Sequence, residues 1–181
     1  AEVRQLTEAG CRDITLLGQN VNSYDGGGTD FADLLAELAR LDGDFLLRFM
    51  TSHPKDASKK LFDTMAAHPK IARHIHLPFQ AGSDRVLHAM NRRYTRAQYL
   101  DLVAYARQVM PDLVLTSDVI VGFPGETEAE FEETLSLVEA VRCDALFTFL
   151  YSPRPGTPAA RLDDPVPRAE KLRWFDRLCD A

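Results

Sequence analysis

No apolar run in the 181 residues approaches the length of roughly 20 needed to span a bilayer. The opening residues, Ala1-Glu2-Val3-Arg4-Gln5, have neither the basic region nor the apolar core of a secretory signal. A cytoplasmic setting is therefore the default expectation, with no membrane partner. Positive charge is also short: 21 Lys and Arg against 27 Asp and Glu give a net charge of -6. That balance argues against a broad nucleic-acid footprint on this segment alone, because such binding is dominated by neutralising phosphates. It leaves room for a small basic patch or a basic domain elsewhere in a longer protein. Cysteine is scarce and odd in number, and Cys11, Cys143 and Cys179 lie far apart. None of their spacings suits a zinc knuckle, a redox pair or a cluster loop, so buried or idle reduced thiols are expected. Low-complexity sequence is missing as well, the nearest approach being the loop Gly26-Gly27-Gly28.

What is present is a soluble globular composition, 45% hydrophobic and 27% charged, in a length suited to one domain. A strand-then-helix unit recurs at roughly the interval of βα repeats. Short apolar runs predict strands at 14–17, 45–50, 75–79, 114–121 and 145–150, in the style of strands covered on both faces. Helices are predicted at 2–9, closed by Gly10, at 31–41 with Phe31, Leu34, Leu35 and Leu38 on one stripe, at 83–90 and at 168–178. Thr95-Arg96-Ala97-Gln98 and Thr127-Glu128-Ala129-Glu130 fit the capping box. The helix after Thr127 should bury Phe131, Leu135, Val138 and Val141. The expected class is α/β, a partial, open βα barrel of about five parallel strands. A helix at the start predicts a strand before it, so a truncated barrel is expected in place of a small complete sheet.

In parallel α/β folds the ligand lies at the carboxyl ends of the strands. The five exits are Gly18-Gln19-Asn20-Val21-Asn22, Thr51-Ser52-His53-Pro54, Gln80-Ala81-Gly82-Ser83, Gly122-Phe123-Pro124-Gly125-Glu126-Thr127 and Tyr151-Ser152-Pro153-Arg154-Pro155-Gly156-Thr157. Turns favour such residues for structural reasons too. Five in register point to one shared mouth, whose amides, hydroxyls and carboxylates suit an organic ligand. The glycines lack the spacing of a P-loop or dinucleotide fingerprint. Asp118 interrupts the run 113–121, and a carboxylate inside a buried strand needs a partner: an arginine such as Arg92 or Arg93, or a ligand's sugar hydroxyls. His74 and His76 share a strand face and raise the alternative of a zinc-dependent barrel hydrolase. They lie deep, and no second histidine cluster stands at another exit, so no metal ligand is assigned. A non-catalytic nucleotide-binding module is the other alternative.

Read together, the exits resemble those of the MiaB-like methylthiotransferases of the radical S-adenosylmethionine superfamily. The resemblance runs through Leu16-Leu17-Gly18-Gln19-Asn20-Val21-Asn22-Ser23-Tyr24, Ser52-His53-Pro54-Lys55, His76-Leu77-Pro78-Phe79-Gln80-Ala81-Gly82-Ser83, Met90-Asn91-Arg92, and Tyr94-Thr95. It continues in Ser117-Asp118-Val119-Ile120-Val121-Gly122-Phe123-Pro124-Gly125-Glu126-Thr127 and closes in Tyr151-Ser152-Pro153-Arg154-Pro155-Gly156-Thr157-Pro158-Ala159. The Gln-Asn exit and Ser-His-Pro segment look like the tRNA-modifying branch. Sister branches, acting on threonylcarbamoyl-adenosine in tRNA or on a ribosomal protein, are the nearest alternatives.

The resemblance implies a truncated radical S-adenosylmethionine barrel in which Gln80, Arg92 and Asp118 bind S-adenosylmethionine. Asp118 would accept from ribose hydroxyls or pair with Arg92, whose guanidinium suits the methionine carboxylate, and Gln80 would meet a sugar hydroxyl. Gly18, Gln19 and Asn20 look like the segment meeting the methionine amino group, and Gly122 would let adenine approach the backbone. The family's 4Fe-4S cluster is held by a Cys-x-x-x-Cys-x-x-Cys loop after the first strand. No such loop occurs in this sequence, and it would precede Glu2. The resemblance thus implies a fragment with no catalytic residue of its own, inactive in isolation. Its parent, expected to be a monomer, would insert a methylthio group at C2 of isopentenyl-modified adenosine in tRNA.

Overall fold

A computed structural model of the chain describes residues 1–50 and 53–181. Thr51 and Ser52, expected at the second strand exit, lie outside the described residues. The chain divides into two compact units, one of residues 1–77 and 101–115, the other of residues 78–100 and 116–181.

The first unit runs α1 (Glu2–Glu8), β1 (Asp13–Leu16), α2 (Phe31–Ala39), β2 (Leu46–Phe49), α3 (Lys59–Ala67) and β3 (His74–His76). β1 and β2 pair in parallel, Ile14 opposite Leu47. β2 continues onto the approach to β3, where Leu47 donates to Lys70 O at 2.7 Å and receives from Ala72 N–H at 2.9 Å. The helix caps follow from sequence. Asp30 and Asp33 form a reciprocal capping box on α2, and the Ser58 hydroxyl receives Leu61 N–H at 3.1 Å to start α3. α2 buries Phe31, Ala32, Leu35 and Ala39, with Leu34 and Leu38 half-buried, so its buried stripe is turned from the expected one. Phe31 meets Phe49 edge-on at 5.1 Å in the core of this unit.

The third strand is shorter than 75–79. Leu77 and Phe79 are as apolar as strand residues and are buried, but Pro78 between them has no N–H for a ladder. Pairing resumes only at Gln80, in an isolated parallel bridge to Val119.

The second unit holds α4 (Asp84–Ala89), most of β4 (Val114–Val121), α6 (Glu128–Val141), β5 (Ala145–Leu150) and α7 (Arg168–Asp180), while α5 (Arg96–Val109) carries the chain back to the first. Both predicted capping boxes form, Thr95 with Gln98 and Thr127 with Glu130. α6 buries Phe131, Thr134, Leu137 and Val141, leaving the expected Leu135 and Val138 half-buried. Thr134 is drawn inward by Gly82, whose N–H donates to its hydroxyl at 2.9 Å. A Cβ at Gly82 would lie 2.4 Å from Glu133 O and 2.5 Å from Thr134 Cα, so only glycine permits this approach. Phe131 stacks on Trp174 of α7 at 5.5 Å.

β4 and β5 pair in parallel with Asp118 opposite Phe147 and Ile120 opposite Phe149. One β4 face, Ser117, Val119 and Val121, is buried. The other carries Thr116, Asp118 and Ile120 half-buried, beside Phe147 and Phe149 at 53% and 52% exposure. The expectation of strands covered on both faces is thus corrected here. Asp118 occupies the open face, so its carboxylate does not bear the full cost of burial. The class is α/β with parallel pairing, and among the described residues no closed barrel forms, since β1 and β5 each pair on one side only. The thiols are not buried either: Cys11 and Cys179 are exposed and Cys143 is half-buried.

Candidate functional site

In the second unit, Gln80 and Asp118 come together. Gln80 N–H donates to Asp118 O at 2.9 Å, and Gln80 O receives Ile120 N–H at 2.8 Å. These two bonds tie the β3 exit to the side of β4. Gln80 holds this position with φ of 68°, a left-handed conformation rare outside glycine and characteristic of functional sites. Both residues line a cavity of about 570 Å³ with Ile120, Phe149, Tyr151 and Arg154. A carboxylate, a carboxamide, a guanidinium and two aromatic rings on one cavity of this size suit a nucleoside-like ligand.

Arg92 lies in the turn after α4 and is not among the residues lining that cavity. Its neighbour Tyr94 donates to Pro78 O at 3.2 Å and Phe79 O at 3.0 Å, the two carbonyls before Gln80. Burial pushes the Tyr94 hydroxyl up to about 12, against a smaller opposing effect of the Arg92 charge. Tyr94 is thus a fixed neutral donor supporting the Gln80 exit.

Gly122, at the end of β4, has φ of 75° and is fully engaged. Its N–H donates to Glu126 Oε2 at 2.6 Å, and its carbonyl receives Lys171 Nζ at 2.7 Å. A Cβ there would lie 2.7 Å from Lys171 Cδ, so the space left by the absent side chain holds a lysine stem and is not open to a base. Lys171 is only 5% exposed and is paired with Asp164 at 2.6 Å. It was not recognised from sequence, yet it shares the buried stripe of α7 with Trp174 and Leu178, and a lysine in such a stripe is a readable signal.

In the first unit, Gly18 and Asn20 line a cavity with Leu17, Val21, Tyr24 and Phe31, while Gln19 is exposed. Asn20 Nδ2 donates to Asp56 Oδ2 at 2.6 Å, and its buried Oδ1 has no hydrogen-bond partner. Such an acceptor is expensive to leave unmet and suits a ligand N–H. Asn22 grips the His53 backbone at two points, accepting His53 N–H at 3.1 Å and donating to its carbonyl at 3.2 Å. Asp56 and this clamp were not foreseen, because each joins residues more than thirty positions apart. Replacing Asn22 by alanine will remove both clamp bonds, while the His53 carbonyl keeps the N–H groups of Asp56 and Ala57, and destabilise the chain by about 1–3 kcal/mol, read as a lowered chemical-denaturation midpoint at unchanged slope.

Among the described residues no group of three His, Cys, Asp or Glu side chains comes together as a metal site. His74 and His76 do share the β3 face as expected, half-buried.

The sequence profile of the Radical SAM superfamily matches residues 1–138. The chain belongs to the radical SAM superfamily. Among curated relatives, this radical SAM chain is 54% identical over 181 residues to a tRNA-2-methylthio-N(6)-dimethylallyladenosine synthase of Desulfitobacterium hafniense, covering 98% of the chain and 40% of that protein. It is likewise 54% identical over 180 residues to the protein of the same name in Syntrophotalea carbinolica, covering 98% and 41%. The chain thus spans about two fifths of the length of these relatives. Solved structures share the fold at low identity. Coproporphyrinogen III oxidase of Escherichia coli, a radical SAM enzyme, aligns with a TM-score of 0.72 at 19% identity, over 93% of this chain and 39% of that one. Methylornithine synthase aligns at 0.62 and 13%, over 98% and 51%.

Proposed function

We propose that this radical SAM chain is the cofactor-binding part of a longer tRNA methylthiotransferase, one that inserts a methylthio group at C2 of an N6-isopentenyl adenosine. The names carried by relatives at 54% identity support the reaction and the tRNA substrate. The observation that carries the site is the convergence of Gln80 and Asp118 on one cavity, with Gln80 in a strained backbone conformation.

The donor set fits the adenosyl part of S-adenosylmethionine. Asp118 accepts from ribose hydroxyls, Gln80 offers a donor and an acceptor beside it, and Phe149 and Tyr151 supply apolar faces for a base. Adenine is better served by the rings of Phe149 and Tyr151 than by Gly122, whose open side Lys171 fills. Arg92, which does not line this cavity, is proposed for the methionine carboxylate, which its guanidinium suits. Bound S-adenosylmethionine supplies one-electron chemistry at carbon in this superfamily. This chain's residues bind and orient it.

An iron–sulfur cluster does not fit Cys11, Cys143 and Cys179, which lack the three-thiolate spacing. On this reading the chain is a core piece without the first strand and the cysteine loop, and the thiolates belong to the rest of the longer protein. The whole is read as a cytoplasmic monomer, which analytical ultracentrifugation of the full-length protein checks. No helix is long and apolar enough to cross a membrane among the described residues.

Calorimetry with S-adenosylmethionine tests the site. Asp118→Ala and Gln80→Ala are each expected to weaken binding roughly tenfold or more, the loss of a hydrogen bond involving a charged or buried group being about 1.5–3 kcal/mol. Equal affinity for wild type and both variants would sink the assignment.

A further inference from the structure

The exit of β4 folds back onto a carboxylate. Glu126 is 1% exposed, and its Oε2 accepts Gly122 N–H at 2.6 Å and Phe123 N–H at 3.1 Å. The other oxygen, Oε1, is buried with no hydrogen-bond partner. An ionised carboxylate so placed leaves half its charge unanswered in an apolar setting, whereas the protonated form keeps both N–H bonds without that cost. Burial pushes the Glu126 carboxyl up to about 7, opposed by the two backbone bonds and Lys171, with the charge of Glu130 adding to the rise.

The charged groups around it come from every neighbouring element. Lys171 of α7 is committed to Gly122 O and to both oxygens of Asp164. Glu130 of α6 is held by the guanidinium of Arg85 from α4, which also donates to Gly125 O at 2.6 Å. When Glu126 ionises, Lys171 faces a second anion in competition with Asp164. Its stem fills the side of Gly122, so any shift of the lysine frees that turn.

The turn is connected to the candidate cavity. Tyr151 N–H donates to Val121 O at 2.8 Å. The rings of Phe123 and Tyr151 meet edge-on with centroids 5.3 Å apart. Tyr151 in turn lines the cavity that holds Gln80 and Asp118. We propose that Glu126 is a proton-operated positioning residue: protonated, it holds the Gly122-Phe123 turn and, through Phe123 against Tyr151, the aromatic wall of the cavity; ionised, it releases both. The latch stands on this geometry, and only its effect on a ligand rests on the cofactor reading above.

Two measurements on wild type and Glu126→Gln decide it. The Gly122 and Phe123 amide resonances, followed by nuclear magnetic resonance from pH 5 to 9, should share an inflection near pH 7 in the wild type and none in the variant. S-adenosylmethionine should bind wild type roughly tenfold more weakly at pH 8 than at pH 6, because only the protonated fraction is competent, and should bind the glutamine variant equally at both. A flat wild-type profile overturns the latch, and so does an inflection or a tenfold pH loss that survives in Glu126→Gln. If wild type binds no S-adenosylmethionine at pH 6, the cofactor reading fails while the amide titration still judges the latch.

Discussion

Gly82→Ala will lower the melting temperature by roughly 6–12 °C, the equivalent of about 3 kcal/mol or more in a domain of this size. The added methyl would sit 2.4 Å from Glu133 O and 2.5 Å from Thr134 Cα, both backbone atoms of α6 that no rotamer change can move aside. Either the Gln80 exit or the helix must shift by about an ångström. The Gly82 N–H to Thr134 bond is then stretched, and Arg96, which bonds to Glu133 O and Ser136 on the same helix, loses its register. Thr134→Ala serves as the control. It removes the hydroxyl but leaves the space, and should cost only about 1–2 kcal/mol. Differential scanning calorimetry of both variants separates crowding from hydrogen bonding. A Gly82→Ala protein melting within 2 °C of wild type would mean that the close approach does not exist.

The second large effect is a dependence on pH whose sign differs between two glutamates four residues apart. Glu126 has its carboxyl raised to about 7 from 4.5, first by desolvation. The native state therefore holds a proton that the unfolded chain has given up, so the contribution is fully present below pH 4.5 and is lost as pH rises through 7. It amounts to about 3 kcal/mol. Glu130 behaves in the opposite way: the Arg85 bond, followed by those from Thr127, holds it down to about 2. Its contribution is present above pH 4.5 and is lost as pH falls through 2. Together the pair favours maximal stability on the acidic side of neutrality. Glu126→Gln should remove the alkaline limb alone, raising the melting temperature at pH 8 by roughly 5 °C or more while leaving the acid limb in place. An unchanged melting temperature at pH 8 would show that Glu126 carries no such strain.

The two strands read most accurately, at 114–121 and 145–150, are rich in apolar and β-branched residues with turn residues at both ends, and their bounds coincide with β4 and β5. The third was read as too long because Leu77-Pro78-Phe79 is as apolar as a strand, and hydropathy does not register that proline has no donor. α3 went unnamed. Its interior, with Lys59, Lys60 and Asp63 among three buried residues, is weakly apolar, and Ser58 is its clearest signal. The phase of α6 was misjudged for a related reason. Leu135 and Val138 are more hydrophobic than Thr134, but Thr134 has a backbone donor to meet and takes the inner position.

The candidate site divides along the same line. Gln80 and Asp118 were legible because a polar residue at a strand exit and a carboxylate within an apolar strand are both local anomalies, and the structure gives them a common cavity. Gly122 was visible as a glycine but its surroundings were not, since the lysine that fills its free side lies 49 residues further on. Partnerships across such separations are set by packing, and local pattern is silent about them.

The same lysine bears on how this protein can be cut. The superfamily profile stops at residue 138, inside α6, whereas Lys171 and Trp174 reach the β4 exit and Phe131 from α7. A piece trimmed to that profile boundary would keep every recognisable motif of the exit and lose its buttress. The working edge of the module lies past the end of the superfamily profile, and expression boundaries are better drawn beyond Leu178.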